Sequence, residues 1–107
     1  MKYKLEFLPL ALADILEIEA SLYEYSPAAS GKFTGKISRL TQTLTEHPFM
    51  YQVFEHDEYF RSMPLCYNYR LFYHAEKECG IIRVHRVIHA MRDLESVPEC
   101  DMSLHEG

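Results

Sequence analysis

Polar and apolar residues alternate at the start of the chain, from Lys2 to Leu8. The apolar members Tyr3, Leu5 and Phe7 would share one face of an extended segment. A period of two is typical of a half-buried strand. Pro9 ends the pattern, because proline cannot donate a hydrogen bond inside a sheet. The sequence therefore predicts a first strand before Pro9.

Two amphipathic helices are predicted next. From Pro9 to about Tyr25, apolar residues recur every three or four positions with acidic residues mostly between them. Ser26-Pro27 interrupts this helix, since proline disfavours helical geometry in the residue before it, and the same pair suits the N-cap and first turn of a second helix. The second helix ends near His47-Pro48, and its apolar face is Phe33, Ile37, Leu40 and Leu44.

Three strands are predicted in the second half of the chain, over Tyr59–Leu65, Cys66–His74 and Ile81–Ile88. Pro64 separates the first two or lies at a bulge, because it lacks an amide hydrogen. The polar run from Glu76 to Gly80 predicts a hairpin loop before the last strand. The order β-α-α-β-β-β indicates an α+β fold with a twisted, largely antiparallel sheet packed against an N-terminal helical hairpin.

The last predicted strand is harder to phase than the others. Ile82 and Val84 point to one face and Val87 to the other. We expect either burial on both faces or a bulge. In the strand before it, aromatic residues alternate regularly, which is more often a core face than a surface for stacking on bases. The residues of that stripe are Tyr67, Tyr69, Leu71 and Tyr73.

Composition predicts one globular domain followed by an acidic tail. The chain has 107 residues, of which 48% are hydrophobic and 25% charged, which is ordinary for a folded protein. We expect a domain over residues 1–94 and a tail over residues 95–107. No window is long and apolar enough to span a membrane, and the first residues are charged, so a cytoplasmic location is expected. The three cysteines lack metal-binding or disulfide-framework spacing.

Charge is distributed unevenly along the chain. The formal net charge is -5, which argues against nonspecific coating of nucleic acid. Between Tyr59 and Asp93, however, six basic residues outnumber three acidic ones. We therefore expect a local basic face on an acidic protein.

Six segments follow one another along the chain: Tyr3-x-Leu5-x-Phe7, Asp14-Ile15, Phe33 with Ile37 and Leu40, Arg61-Ser-Met-Pro64, Tyr69-Arg70-Leu71-Phe72-Tyr73, and Arg83-Val-His-Arg-Val-Ile-His89-Ala-Met-Arg92-Asp93. This ordered set resembles the RelE/ParE superfamily of type II toxin–antitoxin systems, also known from plasmid stabilization, across roughly residues 2–94. The final run looks more like ParE members than RelE members.

The resemblance implies a bacterial growth-arresting toxin that a cognate antitoxin neutralises by wrapping it with an amphipathic segment. ParE-like members are known for poisoning DNA gyrase, whereas RelE-like members cut mRNA on the ribosome. A third possibility is a binding module that keeps the fold without toxicity. The resemblance implies no cofactor, and both homo-oligomers and toxin–antitoxin hetero-oligomers are compatible with it.

RNA cleavage would need an acid/base group and cations around the phosphorus. Arg61, Arg83 and Arg92 can supply cations, and His89 is the acid/base candidate because an unperturbed histidine titrates near pH 6.5. Nothing from residue 94 to the last residue is Tyr, Lys or Arg, although RelE-like nucleases often place Tyr or Lys there. That difference lowers the expectation of nuclease activity.

If the protein acts by binding, the same region supplies the candidate contacts. The predicted target- or partner-binding residues are Arg61, Arg83, Arg86, Arg92 and Asp93. Arg92-Asp93 can also be a local ion pair that anchors the end of the strand. The four-residue spacing of His85 and His89 suits a pair of metal ligands only on a helix, where the two side chains lie one turn apart, and a strand is predicted there, so no metal site is expected.

Overall fold

The computed structural model describes residues 2–90, and the helices and strands fall largely where the sequence pattern predicts them. The elements are β1 (Lys4–Phe7), α1 (Pro9–Tyr25), α2 (Pro27–Glu46), β2 (Val53–Phe54), β3 (Asp57–Pro64), a 3₁₀ turn (Cys66–Asn68), β4 (Tyr69–Glu76) and β5 (Ile81–His89).

The five strands form one mixed sheet in the order β1-β5-β4-β3-β2. β1 runs parallel to β5, and every other neighbouring pair in the sheet is antiparallel. The first strand therefore lies beside the last, although the helical hairpin and three strands separate them in sequence. The predicted α+β fold, with a largely antiparallel sheet and an N-terminal helical hairpin, is confirmed.

Ser26 joins the two helices of the hairpin. Its amide donates to the carbonyl of Leu22 at 2.7 Å, which closes α1. Its side-chain oxygen accepts from the amide of Ala29 at 3.3 Å, which caps α2. Pro27 follows in the first turn of α2, where its missing amide hydrogen costs nothing. Both helix boundaries predicted at this position are confirmed.

The strands after the hairpin differ from the prediction in two places. The two-residue strand β2 was not predicted, because Val53 and Phe54 are too few to show a period. The strand predicted from Cys66 begins only at Tyr69, since Tyr67 and Asn68 have positive φ angles of 61° and 65°. These residues form a left-handed turn that reverses the chain between β3 and β4, and such a conformation is uncommon outside glycine.

The last strand contains the predicted irregularity. Phe72 of β4 is in register with Arg86 of β5, whereas the next residue, Tyr73, is in register with Val84. β5 therefore carries one more residue than β4 at this point, which is His85. This bulge changes the alternation so that Val84 and Val87 both reach the same core, and both faces of β5 are buried in part.

The main core lies between the sheet and the helical hairpin. Tyr69, Leu71 and Tyr73 of β4 pack there, which confirms the predicted stripe except for Tyr67, whose side chain is exposed. We call the opposite side of the sheet the second face. A smaller apolar cluster occupies it, consisting of Phe54, Phe60, Phe72 and Ile88.

Candidate functional site

Arg83 lies on the second face of β5 and is held between two carboxylates. Its Nε donates to Glu6 of β1 at 2.8 Å, and one terminal nitrogen donates to Glu76 of β4 at 2.9 Å. The hydrogen bonds that Arg83 donates to Glu76 and then to Glu6 raise the pKa of its guanidinium above the usual value. Arg83 thus ties the two strands that flank β5, and its charge is balanced within the molecule.

Arg86 forms a two-point contact with Asp14 of α1. Its Nε and one terminal nitrogen donate to the two carboxylate oxygens at 2.7 and 3.1 Å. The same carboxylate accepts from the amide of Val87 at 3.0 Å. β1 ends at Phe7, which is in register with Val84. Beyond that point β1 no longer pairs with β5, and the Asp14 carboxylate provides a hydrogen-bond acceptor for the backbone of β5 instead. Asp14 belongs to the residues that carried the family resemblance, but the sequence did not indicate this role.

Arg61 of β3 anchors the connection between α2 and β2. One terminal nitrogen donates to the carbonyl of Tyr51 at 2.6 Å, and the guanidinium lies 5.1 Å from the ring centre of Phe49. Near it, the hydroxyl of Tyr73 donates to the carbonyl of Pro48 at 3.1 Å. Burial raises the pKa of Tyr73 to about 12. This group of contacts fixes the segment between α2 and β2.

His89 closes β5, in register with Tyr69 at the start of β4. Its ring meets that of Tyr69 edge to face, with ring centres 5.0 Å apart. Tyr69 belongs to the core on the helical side of the sheet, so His89 is directed to that side. Arg92 and Asp93 lie outside the described residues.

The predicted acid/base and cationic residues that the structure describes do not converge on one point. Arg83 and His89 are six positions apart on β5, which corresponds to about 20 Å along a strand. Arg61 contacts the α2–β2 connection, whereas Arg83 contacts β1 and β4 on the second face. The expected basic face is also less positive than the count of basic residues indicates, because Arg83 and Arg86 form ion pairs with carboxylates.

Arg70 is a candidate functional residue that the sequence pattern did not single out. It lies on the second face of β4 and donates to the hydroxyl of Ser62 at 3.0 Å. Within the described part of the chain, no carboxylate forms an ion pair with it. It lines a groove with the aromatic residues Tyr51 and Phe54 and with Pro64. The sequence did contain a signal for the position of Arg70. Side chains alternate between the two faces along β4, and because its tyrosines face the core, Arg70 lies on the other face.

A cluster of aromatic and histidine rings lies beside Arg83 on the second face. The rings of Tyr59 and His74 stack with centres 3.8 Å apart, and Nδ1 of His74 is 2.8 Å from the Tyr59 carbonyl oxygen. Buried His85 meets Phe60 edge to face at 5.0 Å. Burial is the main cause that raises the pKa of Tyr59. The cluster explains how the extra residue of β5 is accommodated.

Residues 2–90 contain neither a cluster of metal ligands nor a helix suited to a bilayer. No group of three or more histidine, cysteine, aspartate or glutamate side chains in that range is arranged to hold a metal ion. In the same range, neither helix combines the length and the apolar character that crossing a membrane requires.

The fold is similar to that of a chain from a toxin–antitoxin complex. A chain in the crystal structure of the RelBE2 toxin–antitoxin complex from Mycobacterium tuberculosis superposes with a TM-score of 0.55 and 19% sequence identity, covering 83% of this chain and 99% of that one. At this identity the likeness establishes the fold. No match was found among curated proteins.

The family follows from a match to the sequence itself. Residues 5–94 match the family model for the ParE toxin of the type II toxin–antitoxin system, parDE. The chain therefore belongs to the ParE toxin family, which confirms the resemblance drawn from the sequence pattern.

Proposed function

We propose that this protein arrests bacterial growth by binding an essential intracellular target such as DNA gyrase, and that a cognate antitoxin holds it inactive. The ParE family match over residues 5–94 supports the toxin role. The similar solved chain comes from a toxin–antitoxin complex, which supports the expectation of an antitoxin partner here. In this proposal the protein acts through contact and performs no chemistry of its own.

The observation that carries the choice of binding over cleavage is the engagement of the candidate arginines within the molecule. Arg83 holds Glu6 and Glu76, and Arg86 holds Asp14. A nuclease needs its cations directed at a phosphate and an acid or base beside them. The described candidates instead brace strands against each other. We propose that Arg61, Arg83 and Arg86, with Arg92 and Asp93, shape the surface that a target or antitoxin contacts.

A second candidate function is ribosome-dependent mRNA cleavage, and one observation favours it. Arg70 is fixed on the second face by Ser62 and carries no ion pair with a carboxylate among residues 2–90. A fixed guanidinium of this kind is suited to a phosphate. Under this alternative Arg70 joins Arg61, Arg83, His89 and Arg92 as a residue to mutate.

The deciding experiment is induced expression of the full chain alone in a bacterial host. Growth, a DNA-damage reporter and the integrity of several mRNAs by primer extension are followed together. The same gene with an early stop codon controls for induction, and R70Q is compared with K77Q, which alters an exposed charge in the β4–β5 turn.

We expect growth arrest, induction of the damage reporter and intact transcripts, with R70Q as potent as K77Q. Arrest with ribosome-dependent cuts that R70Q abolishes would replace this proposal with the nuclease alternative. Unimpaired growth from folded protein would favour a binding module without toxicity. Purified chain that stabilises cleaved DNA complexes of gyrase would identify the target directly.

A further inference from the structure

The chain leaves the sheet beside the groove that Arg70 lines on the second face. Ala90 is the last described residue, and its amide donates to the carbonyl of Asn68 at 2.7 Å, in the turn before β4. Arg70 follows two positions after Asn68 and is in register with Ile88 of β5. The segment that follows Ala90 therefore begins close to Arg70.

The groove combines an apolar rim with a guanidinium held in place. Val53 of the edge strand β2 lines it and is 47% exposed. Arg70 donates to the buried Ser62 at 3.0 Å and forms no ion pair with a carboxylate of residues 2–90. Glu55 is the acidic residue of the lining, and its carboxylate lies 3.4 Å from Nε2 of His56. The groove therefore suits a ligand that supplies a carboxylate to Arg70.

The acidic tail over residues 95–107 has the complementary chemistry. It contains four carboxylates and no lysine or arginine. The carboxylates belong to Glu95, Glu99, Asp101 and Glu106. We propose that the tail binds the Arg70 groove of its own chain, with Glu95 or Glu99 on the guanidinium. A bound tail keeps the groove from a phosphate or from an acidic segment of another molecule.

The distances allow this contact within one chain. The groove extends from β4 across β3 to β2, and β2 lies three strand spacings from β5, about 15 Å. Glu95 is five positions after Ala90, and an extended chain of that length reaches about 17 Å. A tether that matches the span gives the contact an effective concentration on the order of millimolar. An intrinsic affinity on the order of millimolar is therefore enough to fill the groove about half of the time.

Two other arrangements fit the charges less well. Nucleic acid in the groove meets the Glu55 carboxylate and a net charge of -5, and it lacks the tether that offsets such repulsion. Lys32 of α2 is another cation near this end of the sheet, with its Nζ 5.9 Å from the ring centre of Tyr67. Lys32 is exposed, so water screens an ion pair there. The inference does not depend on whether the protein is a toxin.

The test places a spin label on the tail of the full chain. C66S and C79S leave Cys100, which lies between two of the tail carboxylates, as the thiol that takes a nitroxide. Paramagnetic broadening of the backbone amide signals in NMR spectra then reports which side of the domain the label approaches. The broadening is measured at low and high salt in this parent protein and in four variants of it.

In the parent we expect stronger broadening at the amides of Val53 and Glu55 in the groove than at those of α2. R70Q should reduce the groove broadening at least about twofold, because the carboxylate loses its charged partner, and R70K should retain most of it. K32Q removes a charge near the same end of the sheet and should leave it unchanged. High salt should reduce it, since solvent reaches the ion pair.

The fourth variant is E95Q/E99Q, which removes the two proposed tail carboxylates and should reduce the groove broadening as R70Q does. It keeps the comparison available if R70Q fails to fold, because the described core retains its sequence. Broadening that neither R70Q nor E95Q/E99Q reduces would overturn the inference.

Three further outcomes would also overturn it. Equal broadening on both sides of the sheet, or a reduction by K32Q alone, would place the tail elsewhere than in the groove. Broadening of isotope-labelled chains by nitroxide-labelled chains in a mixture would show a contact between two copies instead. A label that stays away from the groove while inorganic phosphate shifts the groove signals would assign the groove to a phosphate-bearing ligand.

Discussion

At the scale of single residues, Asp14 joins helix α1 to strand β5 through three hydrogen bonds. One carboxylate binds Arg86 at two points and accepts the amide of Val87. The side chains of Asp14 and Arg86 are only 16% and 19% exposed. An ion pair in such a position is costly to break, because the remaining partner keeps a poorly solvated charge.

We predict that D14N lowers the free energy of unfolding by about 2 kcal/mol, a value below that of a fully buried pair because solvent still reaches both groups. Urea unfolding followed by circular dichroism measures the change. E17Q removes an exposed carboxylate from the same helix and should change stability by less than about 0.5 kcal/mol. Equal stability of the two variants would show that Arg86 finds another partner.

Tyr73 offers a test of burial through pH. Burial raises the pKa of its hydroxyl to about 12, and the nearby charge of Arg61 opposes that rise. A tyrosine in the unfolded chain titrates near pH 10. Since the folded chain holds this proton more tightly, the neutral hydroxyl contributes its full stability below about pH 10 and loses it as the pH rises toward 12.

We predict that Y73F costs about 1 kcal/mol at neutral pH through the lost hydrogen bond to Pro48. Between about pH 10 and 12 the variant should lose less stability than the wild type. Chemical unfolding at several pH values measures both effects. Y25F changes a tyrosine that is 85% exposed and should follow the wild type. Parallel pH curves for Y73F and the wild type would contradict the assignment.

At the scale of elements, the helical hairpin depends on one residue that ends a helix and begins another. Ser26 closes α1 through its backbone and caps α2 through its side chain. Serine followed by proline is a strong local signal, which is why the sequence located this boundary. The strand β2 and the turn over Cys66–Asn68 carry no such signal and depend on their neighbours in the folded chain.

We predict that S26A lowers stability by about 1 kcal/mol, the usual cost of removing a serine N-cap. S26G should cost less, about a few tenths of a kcal/mol, because glycine leaves the cap accessible to water. S21A alters an exposed serine within α1 and should be neutral or slightly stabilising. Thermal unfolding of the three variants gives the ranking, and a cost for S21A equal to that of S26A would refute the capping role.

At the scale of the whole molecule, the sheet brings together the two ends of the described chain. β1 lies beside β5, and Glu6 of β1 binds Arg83 of β5. The pairing of β1 with β5 can form only in a chain that contains the whole segment from β1 to β5. The family match over residues 5–94 covers this span. We therefore propose residues 1–94 as the folding unit.

We predict that a fragment of residues 1–94 unfolds cooperatively, with a free energy of unfolding within about 1 kcal/mol of that of the full chain, because it retains every core residue that the structure describes. The deletion removes four acidic residues and changes the net charge from -5 to -1. A fragment of residues 1–84, which lacks Val87 and Ile88, should fail to fold. Loss of the cooperative transition in the 1–94 fragment would place residues 95–107 inside the folding unit.

The sequence by itself determined the elements whose signals are local. Period-two and period-three-to-four patterns located β1 and both helices, Ser26-Pro27 located the hairpin, and the ordered motifs indicated the family. In β5 the conflict between Val84 and Val87 indicated the bulge, although His85 as the extra residue followed only from the register with β4.

Only the tertiary structure decided which charged residues are engaged. Arg83 and Arg86 were predicted as target- or partner-binding residues, and the structure adds that each binds a carboxylate, Glu6 or Asp14, that is more than seventy positions away in the chain. The parallel pairing of β1 with β5 and the packing of α1 bring them together. Periodicity assigns a residue to a face of its own element, and long-range pairing alone determines what that face meets.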